Sequence, residues 1–428
     1  MYINSSTITK RIFMTEKKLV FGRYDYAAFA AFTMYSVCAF VVPLMIVSIG
    51  RDLDFPIDDG GMGSGGFLHM TRSIFMVITL LICGWIAAKI GKRHTMAAAM
   101  FMMGAGITVM AFASAYWMLL PCLMIAGLGE GICEGLATPF VQDLHPDEPE
   151  RYVSFGHAFW PAGIILSVFC ISGALACGTA WQIPAAVSGT LTMLTALGFC
   201  WKEKKGREYP ESANKLRIRD ILQYTGAIVR EKRFWLCCLA MFFGAGAEFG
   251  LTFWSAAYIQ LNFQTSAFVA GLGTGAIALG MFLGRTGFGY ISTPRNLRYI
   301  LLFSALGTIP VSLLLVFLEP GMLPEWATFT LLFILLFLAG IGIAPYWPTS
   351  QVYGVTNLPH CDSTLLYIYY STVGVPGAGI FSWLMGAAGD KFGLKGAIMV
   401  VPITLVVFIA VIVYECWIRK DKTFQPVR

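Results

Sequence analysis

An all-helical membrane protein, with twelve transmembrane helices in two six-helix bundles, is the fold class that three features of the sequence predict. The chain of 428 residues is 57% hydrophobic and 13% charged, whereas soluble domains carry roughly 25% charged residues. Apolar stretches recur along the whole length, each close to the ~20 residues a helix needs to cross hydrocarbon. The second half repeats the spacing of the first, and the longest polar segment, "KEKKGREYPESANKLRIRD" followed by "REKR", separates them.

The predicted spans are 24–50, 62–88, 94–114, 117–141, 152–177 and 180–201, then 234–261, 265–293, 298–318, 325–355, 363–389 and 394–418. This divides the chain into an N-terminal segment (1–23), a first bundle (24–201), a basic linker (202–233), a second bundle (234–418) and a tail (419–428). Positive residues are retained on the cytoplasmic side. With both termini cytoplasmic, Arg51, Lys391 and Lys395 fall outside, Arg72 and Arg285 lie within spans, and the rest of the 30 Lys and Arg lie inside. The net charge of +6 is therefore a topology signal, and no nucleic-acid partner is expected. No cleavable leader is expected either, since the N-terminus is polar and its first apolar run is long enough to span. Within the linker, "LRIRDILQY" suits a short interfacial helix as well as it suits an unstructured basic loop. The eleven cysteines are scattered, without a CxxC, and packing is their expected role. No HExxH, GxSxG or Walker loop occurs, so neither an enzyme nor a cofactor or metal site is expected.

Taken in order, span one contains "VCAFVVPLM" and no internal acid. Span two carries Arg72 near its outer end, where a long side chain is expected to snorkel towards water. Span four holds Glu130 and Glu134 within "GEGICEGLATPF". At i and i+4 they share a helix face, which Thr138 continues. A carboxylate inside a membrane costs about 2.5–3.5 kcal/mol on insertion scales, so such residues tend to be functional; proton coupling is the sharp reading and a structural hydrogen bond the bland one. Span five brings His157 and Trp160 to a depth comparable with Glu134, as a proton relay or as packing. Span seven places Glu248 near mid-depth, where it is a candidate second coupling carboxylate and solute contact or, in the bland reading, half of an ion pair with a neighbouring helix; Thr252, also a binding candidate, and Ser255 share its face. In span eight Arg285 needs an anion, and two readings stay open: an ion pair with Glu248, or a counter-ion for a carboxylated solute. Pro345 and Pro348 are expected to bend or break span ten. Aromatic rings stack on sugars while polar groups bind hydroxyls, which makes Trp160, Trp254, Tyr346 and Trp347 binding candidates, with Ser350 and Gln351 beside the last pair and Tyr367 and Tyr370 in span eleven.

Span two ends in "GWIAAKIGKRHTM" and span eight in "GRTGFGYISTPRNLR". Here the chain resembles the major facilitator superfamily, whose loop between spans two and three is matched at Gly84, Lys89, Gly91, Lys92 and Arg93. The match fails at Ala88, where the family has an acid that helps hold the cytoplasmic gate. "CEGLATPF", "SFGHAFWPAG", "AEFGLTFWSAAYI" and "GIGIAPYWPTS" resemble the fucose permease group of proton-coupled sugar symporters. The resemblance implies that spans one, four, seven and ten line a central cavity, that Glu134 takes part in coupling and that span five binds sugar. The fucose permease's span-one acid falls on Ala39, so its two-carboxylate mechanism does not carry over whole. The expectation is a monomeric secondary transporter of the inner (plasma) membrane, taking up a sugar-like solute with protons. An organic-anion or sugar-acid transporter using Arg285 comes second, and a drug-proton antiporter third.

Overall fold

The computed structural model describes residues 19–147, 149–201, 209–210 and 218–418. The predicted segments 1–18, most of the linker before residue 218 and the tail 419–428 lie outside the described residues. Ten stretches are long and apolar enough to cross a membrane. Of these, Leu365–Ile418 is two spans joined at Gly393, whose φ of 75° turns the chain. Lys92–Met110 supplies the twelfth helix.

The spans match the hydropathy reading to within a few residues: Arg23–Asp52, Met62–Ile90 and Tyr116–Leu144 are the first, second and fourth. Lys232–Asn262 and Ala267–Ile291 are the seventh and eighth. Helix Ile218–Ile228 lies within the predicted linker, so its later part is helical, and Thr225 there hydrogen-bonds Tyr369 of span eleven.

Two spans are broken, each at a proline. Span five runs as Pro149–His157 and then Phe159–Ser167, because Pro161 has no N–H to give the carbonyl of His157 four residues back. Span ten stops at Ile343 and restarts at Tyr346. Pro348 likewise leaves the carbonyl of Ala344 without its helical donor.

The two bundles meet along spans two and eleven, five and eight, and one and seven. These contacts concentrate on the side opposite the termini. A Cβ on Gly66 would stand 2.6 Å from the carbonyl oxygen of Ser382, and one on Gly386 would stand 2.2 Å from that of Met62. Glycine at both positions lets spans two and eleven touch backbone to backbone.

Candidate functional site

Glu134 lies between the halves, half-buried. Its Oε2 accepts from the Tyr35 hydroxyl of span one at 3.3 Å and its Oε1 from the Ser371 hydroxyl of span eleven at 3.3 Å. Gln351 of span ten donates from Nε2 to Ser371 Oγ at 2.8 Å, so a chain of polar groups crosses from one half to the other. Trp160 packs edge-on against Tyr35, with ring centroids 4.6 Å apart. His157 Nε2 is 2.9 Å from Thr138 Oγ1, and the residue is exposed.

Arg285 meets Glu248 at 2.7 Å, Nη2 to Oε1, with the arginine side chain 28% exposed and the glutamate 2%. Of the two open readings of Arg285, the internal pair is therefore present in this state. The guanidinium also donates from Nε to the carbonyl of Ala344 at 3.4 Å, the carbonyl that Pro348 leaves free. Trp347, half-buried, packs edge-on against Phe249.

The snorkelling expected of Arg72 does not occur. Its side chain is 8% exposed and its Nε lies 2.7 Å from Oε2 of Glu130, itself 0% exposed. Arg72 Nη1 donates to the carbonyl of Ala39 at 3.3 Å, four residues before Pro43. Each intramembrane arginine thus has the same two partners: a glutamate from a neighbouring span and a carbonyl whose helical donor a proline has removed. Linear depth placed Arg72 near water; the signal that would have placed it inside was Pro43, which makes a buried acceptor at Ala39. Although Glu130 and Glu134 are one turn apart, Glu130 is enclosed within the first half and Glu134 stands between the two.

Other binding candidates are enclosed in packing. Tyr346 is 0% exposed and donates to Thr308 Oγ1 at 3.0 Å. Thr252 and Ser350 are buried as well. Trp254, 1% exposed, donates from Nε1 to the carbonyl of Ser382 at 2.8 Å. It belongs to the seal on the side opposite the termini, together with His69, whose ring stacks on Phe253 and whose Nδ1 is 2.9 Å from Ser382 Oγ.

At the outer rim of that seal, Asp390 of span eleven accepts from the backbone N–H groups of Met62 and Gly63 at 2.8 and 2.7 Å. A carboxylate on a helix N-terminus is favoured by the unpaired donors and the dipole there. Sequence reading missed this latch because Asp390 looks like an ordinary loop charge. Asp390→Ala is expected to shift the population towards states open on the side opposite the termini by about two- to fivefold, the effect of one helix-end charge. Spin-label distances between spans two and eleven measure this, and unchanged distance distributions would rule the latch out.

The residues at the end of span two and in the turn after it lie at the base of the first half. Gly91 takes φ 87° at the turn, Lys92 pairs with Asp143 at 2.6 Å, and Arg93 donates to the Tyr24 hydroxyl at 3.2 Å. Lys89 sits over the Trp85 ring, 3.7 Å from its centroid. Gly84 faces open space.

Two helical bundles meeting along a polar seam, with a carboxylate in it and a broken helix on each side, are the arrangement of a transporter. The chain belongs to the major facilitator superfamily, whose model matches residues 27–378.

Among solved structures, a bacterial homolog of the human lysosomal transporter Spinster, in an inward-facing and occupied conformation, superposes with a TM-score of 0.71 at 15% identity, over 92% of this chain and 96% of that one. The E. coli fucose:proton symporter superposes with a TM-score of 0.61 at 16% identity, over 91% of this chain and 98% of that one. Among curated proteins, a probable sphingolipid transporter, spinster homolog 3 of Arabidopsis thaliana, is 28% identical over 165 residues, 36% of this chain. Myo-inositol transporter 1 of Saccharomyces cerevisiae is 21% identical over 179 residues, 42% of this chain. The matched stretch spans 30% of the length of either curated relative.

Proposed function

We propose that this transporter takes up a sugar or sugar-like solute together with protons, and that Glu134 carries the proton. The observation that carries the reading is the setting of Glu134. It is half-buried, held by one hydroxyl from each half, and no cation among the described residues stands within ion-pairing distance. Glu130 and Glu248 are each tied to an arginine and have less freedom to gain and lose a proton. A proton on Glu134 turns an acceptor of the Ser371 hydroxyl into a potential donor, so protonation changes a contact that joins the halves.

The solute would lie between Trp160 and Trp347, with Gln351, His157 and Arg285 as polar partners, while the halves rock about it. Support for a hydroxylated solute comes from this mixture of rings and polar groups, and from the fucose symporter and the inositol transporter among similar proteins. One relative is a probable sphingolipid transporter, but two carboxylates, an imidazole and an amide suit hydroxyls better than an acyl chain. The distribution of Lys and Arg supports cytoplasmic termini, and we place the transporter in the inner (plasma) membrane. In that orientation the contacts between halves lie on the outside and the site opens inwards. We take the working unit to be the monomer, since the seam lies within one chain.

The partial exposure of Arg285 favours a second reading, a sugar acid whose carboxylate displaces Glu248. Counterflow in proteoliposomes with matched neutral sugars and sugar acids separates the two. Neutral sugars are expected to exchange, with Arg285→Gln and Glu248→Gln both impaired and the double variant less impaired than Arg285→Gln. Exchange confined to acids, and abolished by Arg285→Gln whatever stands at 248, would replace the sugar reading.

A further inference from the structure

Away from the seam, a groove of about 540 Å³ opens on the lipid-facing side of the second half between spans eight, nine and ten. Its walls are apolar, with Phe303, Val311 and Leu338 among the lining side chains. Gly307 lines it too, and a Cβ there would meet nothing within 4 Å, so the groove is wide at that point. Tyr299, at the end of span nine nearest the termini, marks one end. From Tyr299 to Val311 a helix rises about 18 Å, close to the ~15 Å thickness of one hydrocarbon leaflet. The groove therefore has the length and the lining of an acyl-chain site.

Charge selects the head group. Arg298 lies against the Tyr299 ring, with its Cζ 4.8 Å from the centroid, and faces Trp417 at 5.4 Å. Its Nη2 donates to the Tyr299 hydroxyl at 3.1 Å. Arg295 stands three residues earlier, exposed. Among the described residues no carboxylate pairs with either guanidinium, in contrast to Arg72, Arg233 and Arg285. Arg298 thus stands beside the groove at Tyr299, which lines it, with Arg295 one helical turn away in sequence; neither cation pairs with a carboxylate among the described residues, and the tyrosine and tryptophan beside Arg298 are residue types that sit at head-group level.

We propose that this groove is a binding site for an anionic phospholipid, with one acyl chain along Phe303, Gly307 and Val311 and the phosphate against Arg298 and Arg295. The site is separate from the solute seam.

Native mass spectrometry of the purified full chain, with dioleoyl phosphatidylglycerol competing against dioleoyl phosphatidylcholine, tests it. The wild type is expected to retain the anionic lipid preferentially. Arg298→Gln should lower that retention about fivefold, the worth of one basic contact, while leaving the zwitterionic lipid unchanged. Gly307→Phe, which fills the groove, should lower retention of both. Equal retention of the two lipids by the wild type, or an undiminished preference in Arg298→Gln, overturns the proposal. A second measurement needs no variant: phosphatidylglycerol with a photoreactive acyl chain should label the peptide spanning 299–311. Labelling spread evenly over the lipid-facing helices would contradict it.

Discussion

Glu134→Gln is expected to abolish accumulation of solute against a gradient while leaving solute exchange intact. The amide keeps the size of the side chain and one acceptor oxygen, so one of the Tyr35 and Ser371 hydroxyls can still donate to it while the other turns to accept from the amide N–H. What is lost is the exchangeable proton, and with it the link between the proton gradient and the rocking of the halves. The check is paired: uphill uptake driven by an imposed pH gradient, and counterflow at equal pH. Retained accumulation would remove the proton from Glu134. Loss of both activities would make the residue a binding or structural group.

The second large effect concerns stability. Arg72→Leu leaves Glu130 enclosed without its cation, and breaking a buried pair from one side costs about 3–5 kcal/mol. Replacing both partners with apolar residues of similar volume is often neutral or stabilising. Arg72→Leu is therefore expected to unfold well below the wild type in detergent, and Arg72→Leu with Glu130→Leu to recover most of the loss. A double variant as unstable as the single one would mean that Arg72 acts through the Ala39 carbonyl and not through the glutamate. Transport by a stable double variant would further show that Glu130 carries no proton required for coupling.

The contrast between Glu130 and Glu134 shows where sequence reading stops. The fold was legible throughout, because hydrocarbon thickness sets span length and the second half repeats the first. Charges in apolar runs marked Glu134, Glu248 and Arg285, since a charge there stands out against a strong background. Their partners were less legible: a period of four residues gives a shared face, but not which neighbour that face meets. Glu130 meets Arg72 across two helices of one half, and Glu134 reaches Ser371 of the other half.

Uncharged contributors gave no signal of their own. Tyr35 and Ser371 resemble the many other hydroxyls of the spans, and Trp254 reads as a sugar-stacking ring until Ser382 is seen beside it. The prolines carry more than the kinks they predict. Pro43 and Pro348 each announce a free carbonyl four residues earlier, and each of those carbonyls holds an arginine.

Proton movement driven by solute is the most direct test of the central claim, that solute and proton cross together. Proteoliposomes holding a pH-sensitive dye would be given a panel of neutral sugars and the matching sugar acids without an imposed gradient. The proposed mechanism predicts proton entry with at least one neutral sugar, absent in Glu134→Gln. Measured sugar flux without any proton movement would contradict it.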